Sequence, residues 1–201
     1  MGFFVVFEGL DGSGSSTQAQ LLERHFKLKN RAVMMTKEPT NNLIGGLVRA
    51  QLTHEWKSSM KCLQLLFAAD RAHHLERGIE PALKKNFVVI SDRYKLSTIS
   101  FGSLETDKEW LTKINEKFRE PDLTILLKVS PDSCIKRMKN RPSVELFEEK
   151  NKLEKVWKAY ESFADDKVVI VDGEKDIDEI HEEVVRLVTE KIKEHEIATL
   201  L

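Results

Sequence analysis

Short runs of β-branched and aromatic residues alternate along this chain with longer segments of helical spacing. The short runs have the length of strands and are too uniformly apolar to leave one face in water; they are Phe3–Phe7, Ala32–Thr36, Phe87–Ser91, Leu123–Val129 and Lys167–Val171. The longer segments are Ser16–Lys29, Leu43–Leu52, Ser58–Lys85, Asp107–Arg119, Pro131–Asn140, Glu145–Phe163 and Ile177–His195. The alternation predicts an α/β fold, in which helices cover both faces of a five-stranded parallel sheet and ligands bind at the carboxyl ends of the strands.

The length and composition are those of a single globular domain. The chain has 201 residues, whereas a typical domain has about 150. Hydrophobic residues make up 41% and charged residues 32%, which excludes disordered, collagen-like and low-complexity chains. Because no linker or internal repeat interrupts the pattern, we expect residues 1–201 to form one domain.

The charge and the apolar runs limit the partners and the location of the protein. The formal net charge is -1, so no overall field attracts a nucleic-acid polymer or an anionic membrane. The first apolar run is too short for a signal peptide or a membrane span. Cys62 and Cys134 support neither a disulfide framework nor a metal cluster, so we expect two buried thiols. These features predict a cytoplasmic enzyme with no nucleic-acid or membrane partner.

A glycine-rich segment lies between the first predicted strand and the first predicted helix. It consists of Gly9, Leu10, Asp11, Gly12, Ser13, Gly14, Ser15, Ser16 and Thr17. Such a turn at a helix N-terminus directs successive backbone N–H groups at one point, which makes an anion site suited to nucleotide phosphates. The phosphate-loop pattern G-x-x-x-x-G-K-[ST] fits at Gly9, Gly14 and Ser16, but Ser15 occupies the position of the lysine.

Further segments follow this loop in a definite order. They are Lys37–Thr40 after the second run, Leu65–Ala72 within a helical segment, Ser91–Tyr94 with Ser97 after the third run, Pro121–Thr124 and Val171–Asp172. Together with Val6–Gly14 and Ser16–Gln18, these segments resemble the motifs of the thymidylate kinase family, in the family's order and over residues 3–173. No single motif is decisive, but their joint occurrence is highly specific.

The resemblance implies a fold, a reaction and an assembly. The implied fold is the P-loop NTPase fold of nucleoside monophosphate kinases, with a cis peptide bond before Pro39. The implied reaction transfers the γ-phosphoryl group of ATP to dTMP with Mg²⁺, giving dTDP and ADP, in a homodimer. The basic segment Lys136–Pro142 is similar to the family's lid, near residues 137–148, which closes over the phosphates. Basic residues at the end of a helix also suit the helix dipole, which is the alternative explanation.

The resemblance also implies roles for residues around the phosphates. All loop residues from Gly9 to Thr17 except Leu10 are expected to bind ATP, and Asp11 also helps to hold the acceptor nucleotide or the metal. Asp92 ends the third run, where a carboxylate faces the phosphate loop, so Asp92 and the Ser16 hydroxyl are expected to hold Mg²⁺. Arg93 is expected to clamp the acceptor phosphate. The simpler alternative for Asp92 and Arg93 is a surface ion pair.

The expected base site lies on a helical segment. Phe67 and Arg71 are four residues apart and so share one face of the helix. A base could stack on the ring while the guanidinium donates to a base carbonyl, and the resemblance adds Glu38, Pro39 and Ser97 to the substrate site. Without the resemblance, Phe67 would be interpreted as a core residue.

Ser15 leaves the phosphate loop without one expected charge. Loss of such a donor costs about 10²- to 10³-fold in rate. Either another cation replaces the lysine, or the chain is a nucleotide-binding protein with little or no turnover. The candidate cations are Arg137, Arg141, Lys37 and Lys95, of which we favour the lid arginines Arg137 and Arg141. A kinase for a different nucleotide is a further alternative, which depends on the base pocket.

Overall fold

The sheet has the predicted strands in a doubly wound order. The computed structural model describes residues 2–138 and 150–200. All neighbouring strands are parallel, in the order β2-β3-β1-β4-β5; the strands are β1 (Phe3–Gly9), β2 (Val33–Lys37), β3 (Val88–Asp92), β4 (Leu123–Lys128) and β5 (Val168–Asp172). The order reverses direction at β1, so the carboxyl end of β1 borders the crevice in which such sheets bind ligands.

Helices connect the strands and confirm most of the predicted segments. They are α1 (Ser15–Leu28), α2 (Leu43–Leu52), α3 (Met60–His74), α4 (Glu80–Lys84), α5 (Lys95–Gly102), α6 (Lys108–Asn115), α7 (Pro131–Met138), α8 (Lys150–Glu161) and α9 (Ile177–Leu200). The prediction of one helix over Ser58–Lys85 was wrong, because the π-helical segment Leu75–Ile79 separates α3 from α4. Pro81 follows this segment and lacks the N–H group that a regular α-helix needs there.

Helix α5 is absent from the predicted elements. Its sequence, KLSTISFG, is rich in β-branched and hydroxyl residues and ends in glycine, so its intrinsic helix propensity is low. The helix begins because the buried Glu8 carboxylate of β1 accepts hydrogen bonds from the backbone N–H groups of Tyr94, at 3.0 Å, and Ser97, at 3.1 Å. A carboxylate at a helix N-terminus satisfies unpaired donors and interacts favourably with the dipole.

The core has a layer on each face of the sheet, as the apolar strands predict. On one face, residues of β1 such as Val5 and Phe7 pack against α1 and α9. On the other face, Phe4 and Val6 pack against the α3–α4 region and Tyr94, while Leu126 packs against α7 and α8. Within the described ranges, no helix combines the length and apolar character that crossing a membrane requires.

The two cysteines differ in their environments. Cys134 is buried on α7, as predicted, whereas Cys62 on α3 is partly exposed, and both are free thiols. The prediction of two buried thiols was therefore wrong for Cys62. The neighbouring Leu63 and Gln64 face the interior of the protein instead.

Candidate active site

The phosphate loop joins the end of β1 to the start of α1. Gly12 and Gly14 have φ angles of 83° and 96°, in the left-handed region that favours glycine. A side chain at Gly12 would place its Cβ 2.6 Å from the carbonyl oxygen of Cys134, because α7 packs directly on the loop. A Cβ at Gly14, by contrast, would have no atom within 4 Å. The N-terminus of α1 therefore opens onto free space, which suits an anion.

Asp92 at the end of β3 lies against the start of α1. Its Oδ2 accepts a hydrogen bond of 2.5 Å from the Ser16 hydroxyl. Its Oδ1 accepts one of 3.2 Å from the Ser15 hydroxyl. The residue in the position of the phosphate-loop lysine is therefore buried and directed at a carboxylate.

Arg93 is held in place by three elements. It has a φ of 72°, an uncommon conformation for a residue with a side chain. Its Nη1 donates to the Gly9 carbonyl at 2.8 Å and to the Ser97 hydroxyl at 3.1 Å, and its Nη2 donates to Asp11 Oδ1 at 2.5 Å. Burial lowers the pKa of Arg93, but the Asp11 carboxylate, with Asp92 and Glu8, raises it above its ordinary value. The guanidinium is therefore charged at neutral pH.

A cleft with two compartments opens at the carboxyl ends of β1, β2 and β3. The outer compartment, of about 450 Å³, is bordered by the phosphate loop and Asp92. The inner compartment, of about 100 Å³, is bordered by Phe67, Arg71 and Ser97. Both compartments are lined by Asp11, Glu38, Pro39, Leu52 and Arg93, so Arg93 and Asp11 lie where the two meet. We call them the phosphate compartment and the base compartment.

Arg71 lines the base compartment and is held by three side chains. It is fully buried, and its Nε donates to Glu38 Oε2 at 2.9 Å. Its Nη2 donates to the Thr98 hydroxyl at 2.8 Å, and its Nη1 donates to the Asn115 side-chain oxygen. The peptide bond between Glu38 and Pro39 is cis, as the resemblance implies. Glu38 lines both compartments and also holds the Arg71 guanidinium in its orientation.

The structure distinguishes among the cations that could replace the missing lysine. Lys37, at the end of β2, and Arg137, on α7, both line the phosphate compartment. Arg137 Nη1 lies 3.3 Å from the Ser13 carbonyl and its Nη2 lies 3.1 Å from the Gly173 carbonyl. Lys95 instead is buried in an ion pair with Glu120 and borders a different cavity, so it is no longer a candidate. Arg141 lies outside the described residues.

Some predicted site residues contact the residues that line the cleft instead of contributing to the cleft itself. Gly9 and Ser13 do not line either compartment; a Cβ at Gly9 would lie 2.6 Å from the Ser13 hydroxyl, so that side chain turns back under the loop. Gly12, Gly14, Ser15, Ser16 and Thr17 do line the phosphate compartment. Ser97 borders the base compartment, but its hydroxyl donates to Glu8 and accepts from Arg93, which makes it a positioning residue.

Sequence reasoning missed two charged residues. Arg49 lines the phosphate compartment and donates to the Thr40 carbonyl. It is the single charged residue in Leu43–Leu52, a signal that could have identified it. Glu8 is likewise the single charged residue of Phe3–Gly9 and is fully buried. A single charged residue in an otherwise apolar segment points to a function or a partner.

Glu8 connects β1 to the residues that support Arg93. It accepts hydrogen bonds from the backbone of Tyr94 and Ser97, from the Ser97 hydroxyl and from the Tyr160 hydroxyl, the last at 3.0 Å. Burial raises the pKa of Glu8 to about 7, although the bonds from Ser97 and the charge of Arg93 act in the opposite direction. The native protein therefore binds a proton at Glu8 over a pH range in which the unfolded chain has lost it.

Because the native protein holds this proton, we expect Glu8→Gln to change how the free energy of unfolding depends on pH. The unfolding free energy of the parent protein should fall relative to the variant as the pH rises from about 4.5 to about 7, and then level off. The total relative change is expected to be about 3 kcal/mol, since a tenfold change in proton affinity corresponds to about 1.4 kcal/mol. Urea unfolding at several pH values measures it. Glu76→Gln, at a side chain 68% exposed, is the control; parallel pH curves for Glu8→Gln and the parent would contradict the prediction.

The fold and the cleft define a class of protein. A parallel sheet, a phosphate loop, a cationic phosphate compartment and an adjoining apolar compartment characterise P-loop kinases that act on nucleotides. A family model described as Thymidylate kinase matches residues 7–184. The chain belongs to the thymidylate kinase family, and the resemblance inferred from its motifs is confirmed.

Several relatives support this assignment over nearly the whole chain. A "Probable thymidylate kinase" of Thermococcus gammatolerans is 37% identical over 210 residues, covering 96% of this chain and 98% of the relative. A protein of the same name from Pyrococcus abyssi is 38% identical, covering 95% and 98%. Another, from Sulfolobus acidocaldarius, is 39% identical, covering 92% and 96%.

Proposed function

We propose that this protein transfers the γ-phosphoryl group of ATP to dTMP, giving dTDP and ADP. The observation that carries the proposal is the continuity of the cleft: Asp11 and Arg93 line both the phosphate compartment and the base compartment. A nucleoside monophosphate whose base enters the inner compartment therefore presents its phosphate beside Arg93, facing the phosphate loop. Alignment of this kind is the main requirement of phosphoryl transfer.

The acceptor nucleotide contacts residues of three elements in this proposal. Its base stacks on Phe67 and accepts a hydrogen bond from Arg71, whose orientation Glu38 maintains. Its phosphate is clamped by Arg93, and Arg49 adds a second positive charge in the same compartment. Within the described residues, the Nε–H group of Arg93 has no acceptor, so it is available to a phosphate oxygen.

Ser16 and Asp92 would hold Mg²⁺. A hydroxyl and a carboxylate oxygen are the hard ligands that this ion prefers, and a site of few protein ligands fits an ion that keeps several waters. The two side chains lie within hydrogen-bond distance at the mouth of the phosphate loop, which fits the ion. Bound there, Mg²⁺ would neutralise charge on the β and γ phosphates.

In this proposal the lid supplies the remaining contacts to ATP, the phosphoryl donor. Arg137 lies at the start of the proposed lid near residues 137–148 and touches the phosphate loop. Arg141 and most of that lid lie outside the described residues, and their role stays a prediction. We do not favour a nucleotide-binding protein without turnover, because Lys37, Arg49, Arg93 and Arg137 all line the phosphate compartment.

The assembly and the location stay predictions. Leu43, Leu47 and Leu65 on α2 and α3 are 84%, 42% and 52% exposed, and α2 packs beside α3. An exposed apolar face of this kind supports a homodimer. A single domain over residues 1–201 and a cytoplasmic location agree with the composition and the sequence pattern.

A coupled assay of ADP formation tests the proposed reaction. With ATP and Mg²⁺, dTMP should be phosphorylated in preference to the cytidine, adenosine and guanosine deoxymonophosphates, because the base compartment offers a stacking ring and a donor to a base carbonyl. Omission of Mg²⁺ should abolish the reaction. Comparable rates with all acceptors, or a preference for a purine, would overturn the assignment of dTMP.

A further inference from the structure

Tyr160 is a fully buried tyrosine whose hydroxyl takes part in the hydrogen bonds around Arg93. It lies near the end of α8, and its Oη donates to Oε2 of Glu8 at 3.0 Å. The same oxygen lies 2.8 Å from the hydroxyl of Ser97, which accepts a hydrogen bond from Nη1 of Arg93 at 3.1 Å. Only one side chain therefore separates the Tyr160 hydroxyl from the Arg93 guanidinium.

The ring of Tyr160 is connected to Arg93 by a second path, through Phe101. The rings of Tyr160 and Phe101 meet edge to face, with centroids 6.2 Å apart and planes at 86°. The guanidinium carbon of Arg93 lies 5.4 Å from the centroid of the Phe101 ring, a distance typical of a cation–π contact. Ser97 and Phe101 are four residues apart and share one face of α5. Tyr160 therefore contacts two side chains of α5 that in turn contact the guanidinium.

Tyr160 also belongs to the core layer that contains α7. Buried residues of α7 and α8 form one cluster with Tyr160, which includes Met138 of α7 and Leu10 of the phosphate loop. Helix α7 carries Arg137, which lines the phosphate compartment. Close packing means that a displacement of one member of such a layer is felt by its neighbours. The same tyrosine is thus part of the layer that carries Arg137 and a neighbour of the residues that hold Arg93.

We propose that Tyr160 is a positioning residue, which keeps the Arg93 guanidinium directed at the acceptor phosphate and in a fixed relation to Arg137. This inference rests on the proposed function, in which Arg93 clamps the phosphate of dTMP. Tyr160 lines neither compartment, so it acts through Ser97 and Phe101 and does not touch the substrate. A charged group that is fixed before the substrate arrives need not be reoriented during the reaction, which favours catalysis.

The hydroxyl of Tyr160 serves both protonation states of Glu8. The ionised carboxylate accepts hydrogen bonds from the hydroxyls of Tyr160 and Ser97. When Glu8 is protonated, its O–H group donates to Tyr160, and the Tyr160 hydroxyl turns to Ser97, since either oxygen of that pair can be the donor. In both states Ser97 keeps a lone pair for Arg93. A phenylalanine at residue 160 would remove the hydroxyl on which this exchange depends.

Tyr160→Phe tests the proposal, because it removes the hydroxyl and keeps the ring. In the assay with ATP, Mg²⁺ and dTMP, kcat/KM for dTMP should fall about tenfold, mainly through a higher KM for dTMP, as expected when one hydrogen bond is lost. The KM for ATP should stay within about twofold of the parent value. Tyr160→Leu, which also removes the contact with Phe101, should lower kcat/KM further. Similar increases in both KM values would indicate a general structural role and overturn the proposal.

A double-mutant cycle tests whether Tyr160 acts through Arg93. In Arg93→Ala the guanidinium is absent, so the further change Tyr160→Phe should alter kcat/KM for dTMP by less than about twofold. A tenfold effect that persists in Arg93→Ala would show that Tyr160 acts by another route, and the proposal would be rejected.

The control is Ser100→Ala, which removes another buried hydroxyl. Ser100 lies on α5, lines neither compartment, and has a hydroxyl with no partner among the described residues. Its variant should keep kcat/KM within about twofold of the parent value. A loss equal to that of Tyr160→Phe would show that removal of any buried hydroxyl near α5 suffices, which contradicts a specific role. Thermal unfolding of every variant verifies the fold.

Failure of the inference is distinguishable from failure of the proposed function. If the parent phosphorylates dTMP but Tyr160→Phe leaves kcat/KM unchanged, the role of Tyr160 is rejected and the proposed function stands. If the parent phosphorylates no monophosphate, the proposed function fails, and calorimetric Kd values for dTMP still test Tyr160. The change Tyr160→Phe should then weaken dTMP binding only where Arg93 is present. Equal Kd values for the parent and Tyr160→Phe would overturn the inference.

Discussion

Replacement of Arg137 by alanine is expected to lower kcat by about 10²- to 10³-fold, the loss typical of one preorganised donor to a transition state. Helix α7 packs on the phosphate loop at Gly12 and brings the Arg137 guanidinium to the Ser13 carbonyl. Since Ser15 stands where a lysine is usual, we propose that Arg137 neutralises charge on the transferring phosphoryl group. Arg141→Ala should have a similar effect if the lid closes as proposed.

The companion change is Ser15→Lys, which should alter kcat by less than about threefold. The compartment already holds four cationic side chains, so a further positive charge at residue 15 should add little neutralisation. Single-turnover and steady-state kinetics measure both variants. Lys136→Ala, at the neighbouring position of α7 outside the phosphate compartment, is the control. Strong activation by Ser15→Lys, together with no effect of Arg137→Ala or Arg141→Ala, would instead favour a disabled kinase that binds nucleotides.

Arg93→Ala is expected to lower kcat/KM for dTMP by about 10²- to 10³-fold. The variant loses a charged donor to the acceptor phosphate, which is worth about 1.5 to 3 kcal/mol in binding, and more if the contact strengthens in the transition state. It also leaves the Asp11 carboxylate without its partner at 2.5 Å, so that a negative charge faces the phosphate. Arg93→Lys should recover only part of the loss, because a single ammonium cannot replace the fork of the guanidinium.

Folding should suffer much less than catalysis in Arg93→Ala. The positive φ of residue 93 is as uncommon for alanine as for arginine, so the substitution adds no backbone strain. The ion pair with Asp11 is partly exposed, with 21% and 16% of the two side chains accessible, which limits its contribution to stability. We expect a fall in melting temperature of about 5 °C. An unchanged kcat/KM for dTMP would remove the proposed role, whatever the melting temperature.

Local patterns determined the sheet and the phosphate loop. A fully apolar run such as Phe3–Phe7 has no polar face to turn to water, so it indicates a strand in the middle of a sheet. The glycines after it fit a turn whose backbone angles few other residues adopt. The spacing of Phe67 and Arg71 was likewise sufficient to place them on one face of α3. These features depend on residues near one another in the chain, so they could be predicted from the sequence.

The partners of the charged residues depend on the tertiary structure. Helix α5 has weak propensity of its own and begins on the carboxylate of Glu8, about 90 residues earlier. No local pattern distinguishes Lys95, which pairs with Glu120, from Arg137, which reaches the phosphate loop.

The sequence by itself therefore determined the fold class, the phosphate loop and the family to which the chain belongs. Only the tertiary structure decided which cations line the phosphate compartment and that Arg71 is oriented by Glu38 and Asn115. The physical reason is that strand and turn preferences act over a few residues. Burial, pairing and pKa are set instead by groups that only the packed sheet and helices bring together.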